Sequence, residues 1–326
     1  MKVAVVGAGI SGLAAARSLK KAGHDPVLFE QASHVGGRCA TESEGDYVFD
    51  SGASSIAPRG MSIQPVMLGE ISSEGLVKVE RPIYTHSGLR VSVGDLFKNK
   101  TPRYTYLAGN ATLPERLAEG LDVRLDTQIE RIDRTDSAYS IENETFDRVV
   151  LTPPAPQTTA LLWTLSETRP LHNARYRCCL SLMLGFQIPP PDVPYHALLD
   201  PEQRHPLTWL SIESLKSPGR APEGCCAMVV QLSPTYSLNR YDRPIEDIVG
   251  DVTDYLVRLY GDQWCKPVVS RLKRWKYSLP DTAALFDSVN PPESTLVVAG
   301  DGVLAGRVES AFESGVKAAA ILGGTP

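Results

Sequence analysis

Gly7, Gly9 and Gly12 carry the G-x-G-x-x-G spacing, and Glu30 follows about twenty residues on. Such a set supports the holding of a dinucleotide. Gly7 permits a tight strand-to-helix turn, Gly9 lets the backbone approach a pyrophosphate, and Gly12 lets helix and strand pack closely. The pyrophosphate would rest on the unpaired N–H groups at the start of the helix, near Ile10 and Ser11. Glu30, with Gln31 beside it, is placed to accept both hydroxyls of an adenosine ribose.

Three further clusters extend this chemistry. Gly36-Gly37-Arg38 brings a second glycine pair and a guanidinium that suits a pyrophosphate. Asp50-Ser51-Gly52-Ala53 offers small residues that let a flat ring approach the backbone. Near the C-terminus, Gly300-Asp301 precedes Gly306-Arg307-Val308-Glu309. There the Asp suits a polyol hydroxyl, and a helix beginning near Arg307 suits an anionic ring edge. Ile129, Val308 and Ala311 complete the expected cofactor-binding set. Facing the ring and the donor, the candidates are Ala53, Gly302 and Arg307, then Asn110, Trp209 and Gln231. The six histidines fall mostly in turn-like, polar settings and are read as surface or loop residues rather than bases. No Ser-His-Asp arrangement or metal-ligand spacing is present, so no metal is expected.

The elements that must position these groups are legible as an α/β pattern. Val3 to Val6 reads as a buried strand, Ser11 to Lys21 as a helix, and Val27 to Phe29 as a second strand. Thr112 to Glu119 reads as a short helix, and Leu121 to Leu125, Gln128 to Ile132 and Arg148 to Leu151 as strands. Thr152-Pro153-Pro154-Ala155-Pro156 stops the last abruptly, because proline cannot donate to a ladder. Residues 177–188 and 225–232 read as strands. Apolar residues from Ile245 to Leu259 fall at helical spacing and make a core-facing stripe. Thr295 to Ala299 and Glu309 to Leu322 repeat the opening strand-turn-helix logic. The expected fold is a discontinuous Rossmann-like lobe (residues 1–75, 108–160 and 290–326) with an inserted mixed-sheet α+β substrate lobe (76–107 and 161–289).

Composition narrows the class. The 326 residues, 42% hydrophobic and 22% charged, suit a soluble protein with more than one core. A net charge of −5 gives no basic surface for nucleic acid. No apolar run approaches the roughly 20 residues that span a bilayer, and the N-terminal run, broken by glycines, is no signal peptide. The six cysteines form no C-x-x-C, which suits a reducing cytoplasm.

The order of these clusters resembles the flavoprotein family typified by the amine oxidases. The resemblance rests on Val5-Val6-Gly7-Ala8-Gly9-Ile10-Ser11-Gly12-Leu13, Gly36-Gly37-Arg38 and Ala299-Gly300-Asp301. Within it, the bacterial renalase branch is most similar. The residues that carry this are Thr152 to Pro156, Leu215-Lys216-Ser217-Pro218-Gly219-Arg220, and Gly306-Arg307-Val308-Glu309-Ser310-Ala311 with Ser314-Gly315. The resemblance implies noncovalent FAD, held by both ends of the chain, with the active site between the lobes. It also implies oxidation of abnormal dihydronicotinamide dinucleotides back to the ordinary oxidised form, dioxygen returning as hydrogen peroxide. An amine oxidase, a desaturase and a dinucleotide-binding protein without turnover stay open as alternatives. The chain departs from the branch at Gly302, where a Trp is usual, at Gln231, where His is expected, and at Thr208, where an Asp commonly precedes Trp209.

Overall fold

The computed structural model describes residues 1–59, 62–135 and 137–323, so the last three residues of the 290–326 span fall outside it. The N-terminal apolar run forms the strand Lys2–Val6, with Val3, Ala4 and Val5 fully buried. It lies at the centre of a five-stranded parallel sheet ordered Leu296–Val298, Arg148–Leu151, Lys2–Val6, Asp25–Phe29, Asp122–Arg124. Continuous Val and Leu, rather than alternation, is what a sheet covered on both faces demands. The edge strand Leu296–Val298 brings the C-terminal region back into the sheet that the N-terminus begins.

The helices at the two ends of the chain, Ile10–Lys21 and Val308–Ile321, pack against each other. Gly315 permits the approach: a Cβ there would lie 2.1 Å from the Ser11 carbonyl oxygen. Ser11 Oγ and Ser314 Oγ sit 3.1 Å apart, and Ser314 Oγ accepts the Gly300 N–H at 2.9 Å. This contact joins the opening helix, the closing helix and the Gly300 turn.

A second, seven-stranded sheet is ordered Val269–Thr282, Arg175–Phe186, Cys226–Leu232, Leu207–Ile212, Ala197–Leu199, Ile83–Ser87, Arg90–Ser92. All its pairings are antiparallel except Ala197–Leu199 with Ile83–Ser87. Period-2 alternation divides its faces. Leu180, Leu182 and Leu184 meet Ile248, Val252 and Leu256 of the helix Ile245–Tyr260 in one core. Arg177 and Cys179 line a cavity on the opposite face. Among the described residues, no helix is long and apolar enough to cross a membrane.

Two expectations fail. Residues 128–132 form no strand. Their alternation instead puts Ile129 on the cavity wall while fully buried Ile132 joins the core. His86 lies within the strand Ile83–Ser87 and His196 in the bend just before Ala197–Leu199, and both are buried, at 2% and 0% exposure, rather than in polar surface settings. Burial pushes His196 down to about 4, so its ring is neutral near pH 7.

Gly315→Ala is expected to force the terminal helices apart and to destabilise the protein by about 1–3 kcal/mol, the usual cost of overpacking. Chemical denaturation of the two proteins measures it, and an unchanged midpoint would mean that the helices do not need this close approach.

Candidate active site

A cavity of about 1050 Å³ opens between the parallel sheet and the seven-stranded sheet. It lies at or beyond the upper end of the roughly 300–1,000 Å³ usual for small-ligand sites. Its first wall is built around the glycines. Gly7 (φ +97°) donates its N–H to the Phe29 carbonyl at 2.7 Å, and a Cβ there would strike Thr152 Oγ1 at 2.5 Å. Gly9 follows in extended backbone, with open space where a Cβ would point. No side chain caps the helix Ile10–Lys21, so its first N–H groups remain free for an anion. Gly36 donates to the Ala8 carbonyl at 2.9 Å, and a Cβ on Gly37 would come 3.7 Å from the Gly9 Cα. The two glycine turns thus lie side by side, leaving the close backbone approach that a pyrophosphate needs.

Glu30 is buried at the end of its strand and accepts the Ala8 and Ala32 N–H groups at 2.8 and 3.0 Å. Each carboxylate oxygen keeps a further lone pair for a ribose hydroxyl. Arg38 and Asp301 meet each other in a two-pronged ion pair, at 2.5 and 2.9 Å, and Tyr176 donates its hydroxyl to Asp301 at 2.8 Å. Burial works against the Arg38 charge, but Asp301 outweighs it and raises the guanidinium further. These two residues, expected at a pyrophosphate and a polyol, therefore also close the wall as a pair. Arg307 stands at the N-cap of the closing helix, which no side chain caps, beside Val308 and Ala311 on the cavity wall.

Of the sequence candidates, Gly7, Gly9, Ile10, Ser11, Glu30, Gln31, Gly36, Gly37, Arg38, Gly52, Ala53 and Ile129 line the cavity. Trp209, Gln231, Gly300, Asp301, Arg307, Val308 and Ala311 line it too. Three candidates do not. Gly12 packs beneath, where a Cβ would meet the Gly7 carbonyl oxygen at 1.9 Å. Asn110 is fully buried behind the wall and donates Nδ2–H to the Ala53 carbonyl at 2.8 Å. Gly302 lies under Tyr176, whose hydroxyl would be 2.5 Å from its Cβ. Tyr176 thus occupies the space next to Gly302, which excludes the larger residue usual in the renalase branch.

The seven-stranded sheet supplies the second wall, including Arg177, Cys179, Trp209, Gln231, Lys273 and Trp275. Sequence reasoning missed Trp275 and its neighbours. The signal was the alternation Lys273, Trp275, Tyr277 within the strand Val269–Thr282, all three on the cavity. Burial raises the Cys179 thiol to about 12, so it is neither base nor nucleophile near pH 7. Among the described residues, this wall holds no carboxylate and no histidine.

Behind the wall lies a buried ion cluster. Asp50 Oδ2 accepts from Lys216 Nζ at 2.7 Å and Arg220 Nη2 at 2.9 Å, and Lys216 also pairs with Glu213. None of the four side chains is exposed. Burial would raise the Asp50 carboxyl, yet Lys216, Arg220 and the Asn110 N–H hold it below its ordinary value.

Known proteins agree with this architecture. A sequence model described as an NAD(P)-binding Rossmann-like domain matches residues 5–67, and one described as flavin containing amine oxidoreductase matches residues 83–322. Among solved structures, cyclohexylamine oxidase from Brevibacterium oxydans IH-35A superposes with a TM-score of 0.76 at 14% identity, over 99% of this chain and 98% of that one. Reduced UDP-galactopyranose mutase superposes with a TM-score of 0.77 at 16% identity, over 98% of this chain and 95% of that one. A 4,4'-diapophytoene desaturase of Staphylococcus aureus (strain Newman) is 41% identical over 56 residues, a stretch that takes in 17% of this chain and only 11% of that protein. The match over residues 5–67 and the glycine-built wall are those of a dinucleotide-binding fold. The chain belongs to the flavin-containing amine oxidoreductase family and is an FAD-dependent oxidoreductase. The open backbone at Gly9 and Gly37 and the uncapped helix fit such a group.

Two outcomes are expected here. Glu30→Ala should weaken FAD binding by about ten- to a hundredfold, the worth of roughly 1.5–3 kcal/mol for hydrogen bonds to a charged group. Titration of the apoprotein measures it, and an unchanged dissociation constant would mean that Glu30 does not hold the adenosine. Lys216→Met should cost about 3–5 kcal/mol by removing the close partner of buried Glu213 and leaving Asp50 with Arg220 alone. Because the folded Asp50 titrates below its ordinary 3.8, its stabilisation is present above that value and lost as pH falls through the folded one. The variant raises the folded value, so its acid-unfolding midpoint, followed by circular dichroism, should move to higher pH; no movement would refute the role given to Lys216.

Proposed function

We propose that this flavoenzyme oxidises a dihydronicotinamide-type donor, as the resemblance to the bacterial renalase branch implies. Bound FAD would supply the acceptor for the donor's hydride (two electrons and one proton), and dioxygen would take up both electrons, that proton and a second one from solvent to leave as hydrogen peroxide. The observation that carries this reading is the composition of the second wall. It joins aromatic Trp209, Trp275 and Tyr277 with cationic Arg177, Lys273 and Lys276, and has no acid–base pair among the described residues. Hydride donation needs no protein base, whereas oxidation of an amine or alcohol benefits from a proton acceptor. Flat aromatic faces suit a nicotinamide ring, and the cations suit the phosphates of a dinucleotide.

FAD supplies the two-electron acceptor chemistry, and the chain positions it. Glu30 would hold the ribose, the N–H groups of the opening helix the pyrophosphate, and Arg307 with the closing helix an anionic ring edge. Noncovalent attachment is supported by Cys39 and Cys179, cavity thiols that burial holds protonated. The free cysteines are in keeping with a reducing compartment, which we take to be the cytoplasm.

The test is anaerobic mixing of the purified flavoprotein with dihydronicotinamide isomers and, separately, with primary and secondary amines. Bleaching of the flavin band by at least one dihydronicotinamide and by no amine is the expected result. Bleaching by amines alone would replace this reading with an amine oxidase, and a protein without flavin bands would reject both.

A further inference from the structure

Four successive backbone carbonyls beside the cavity each receive a side-chain donor, and the donors come from distant parts of the chain. Trp275 Nε1–H donates to Ser51 O at 3.0 Å, and Gln231 Nε2–H to Gly52 O at 2.7 Å. Asn110 Nδ2–H donates to Ala53 O at 2.8 Å, and Lys216 Nζ to Ser54 O at 3.0 Å. The stretch has no regular secondary structure, so these side chains replace a sheet partner. It also cannot back away from the cavity at Gly52, where a Cβ would lie 2.0 Å from the Arg38 carbonyl oxygen.

The backbone N–H groups are disposed differently. The Ala53 N–H donates to the Arg38 carbonyl at 3.0 Å, whereas those of Gly52, Ser54 and Ser55 meet no protein acceptor among the described residues. Gly52, Ala53, Ser54 and Ser55 all line the cavity. With every carbonyl from Ser51 to Ser54 engaged, the polar groups left to a ligand are these N–H donors and the Ser54 hydroxyl, which is buried without a partner among the described residues. Fixed donors of this kind stabilise charge that develops opposite them, because no reorganisation is needed when it appears.

We propose that Gln231, Trp275, Asn110 and Lys216 are positioning residues that engage the carbonyls of Ser51–Ser54 and so present its free N–H groups to the electron-accepting edge of FAD. The inference rests on the reading that places the flavin ring beside Ala53. Gln231, on the strand Cys226–Leu232, is thereby a holder of backbone and not a proton acceptor. Two of the donors stand on the cavity wall and two behind it, so both sides of the stretch are held.

The test is the two-electron midpoint potential and the visible spectrum of the FAD-bound protein. Gln231→Glu keeps the shape and replaces the donor with an oxygen that repels the Gly52 carbonyl. It is expected to weaken the preference for reduced over oxidised FAD about tenfold, a fall of about 30 mV for a two-electron couple. Gln231→His retains an N–H donor and should return the potential toward the native value. Trp275→Phe removes one donor, keeps the ring, and should shift the potential in the same direction should Gln231→Glu fail to fold. A merely structural role would lower stability in these variants and leave potential and spectrum native, which would overturn the proposal. Failure of the wild-type flavin to bleach with any dihydronicotinamide, alongside shifted potentials, would reject the proposed donor and leave the positioning role standing.

Discussion

The placement of the cavity depends on one buried set of charges. Asp50, Glu213, Lys216 and Arg220 are two acids and two bases, wholly removed from water. Desolvating each ion costs several kcal/mol, and mutual attraction offsets this only when hydrogen bonding is nearly complete. Asp50 meets that condition, whereas Arg220 leaves Nε and Nη1 without hydrogen-bond partners among the described residues. Asp50 Oδ1 accepts from Thr41 Oγ1 and the Asn110 N–H, both at 2.7 Å, while Oδ2 takes Lys216 and Arg220. Glu213 accepts from Ser211 Oγ at 2.6 Å and from the Asp50 N–H at 3.3 Å. The cluster thereby ties the segments near residues 41, 105–110 and 213–220 into one unit.

From that unit the cavity wall follows. Lys216 reaches past the cluster to the Ser54 carbonyl, and Asn110 to that of Ala53, so the ion cluster and the wall share residues. The opposite side is held by a smaller version of the same arrangement, Arg38 and Tyr176 on Asp301. Tyr176 needs Gly302 beneath it, which gives a packing reason for the glycine where the resemblance to the renalase branch implies a Trp. The departure at Gln231 has a counterpart in hydrogen bonding, since its amide reaches the Gly52 carbonyl. At Thr208 the hydroxyl donates to the Gln231 carbonyl at 3.0 Å, so that substitution serves the sheet.

The likeness to enzymes as different as a cyclohexylamine oxidase and a UDP-galactopyranose mutase shows that the fold does not select the reaction. The difference lies in what the second sheet offers to the cavity. Here that is aromatic and cationic side chains, with a thiol kept neutral by burial.

Much of the first lobe was legible because its signals are local. Gly7, Gly9 and Gly12 act within one turn, Glu30 ends the next strand, and the apolar runs report a sheet buried on both faces. Local reading erred where alternation had another cause, as at Gln128–Ile132, and where isolated histidines gave no sign of burial, as at His86 and His196. The chain by itself determined a dinucleotide-binding strand-turn-helix and the elements flanking it, because those depend on neighbours a few residues apart. Only the tertiary structure decided that Arg38 pairs with Asp301 at a separation of 263 residues, Gln231 with Gly52 at 179, and Lys216 with Asp50 at 166. Hydrogen bonds and ion pairs of that span leave no periodicity or spacing behind, since their geometry exists only once the two sheets have closed on the cavity.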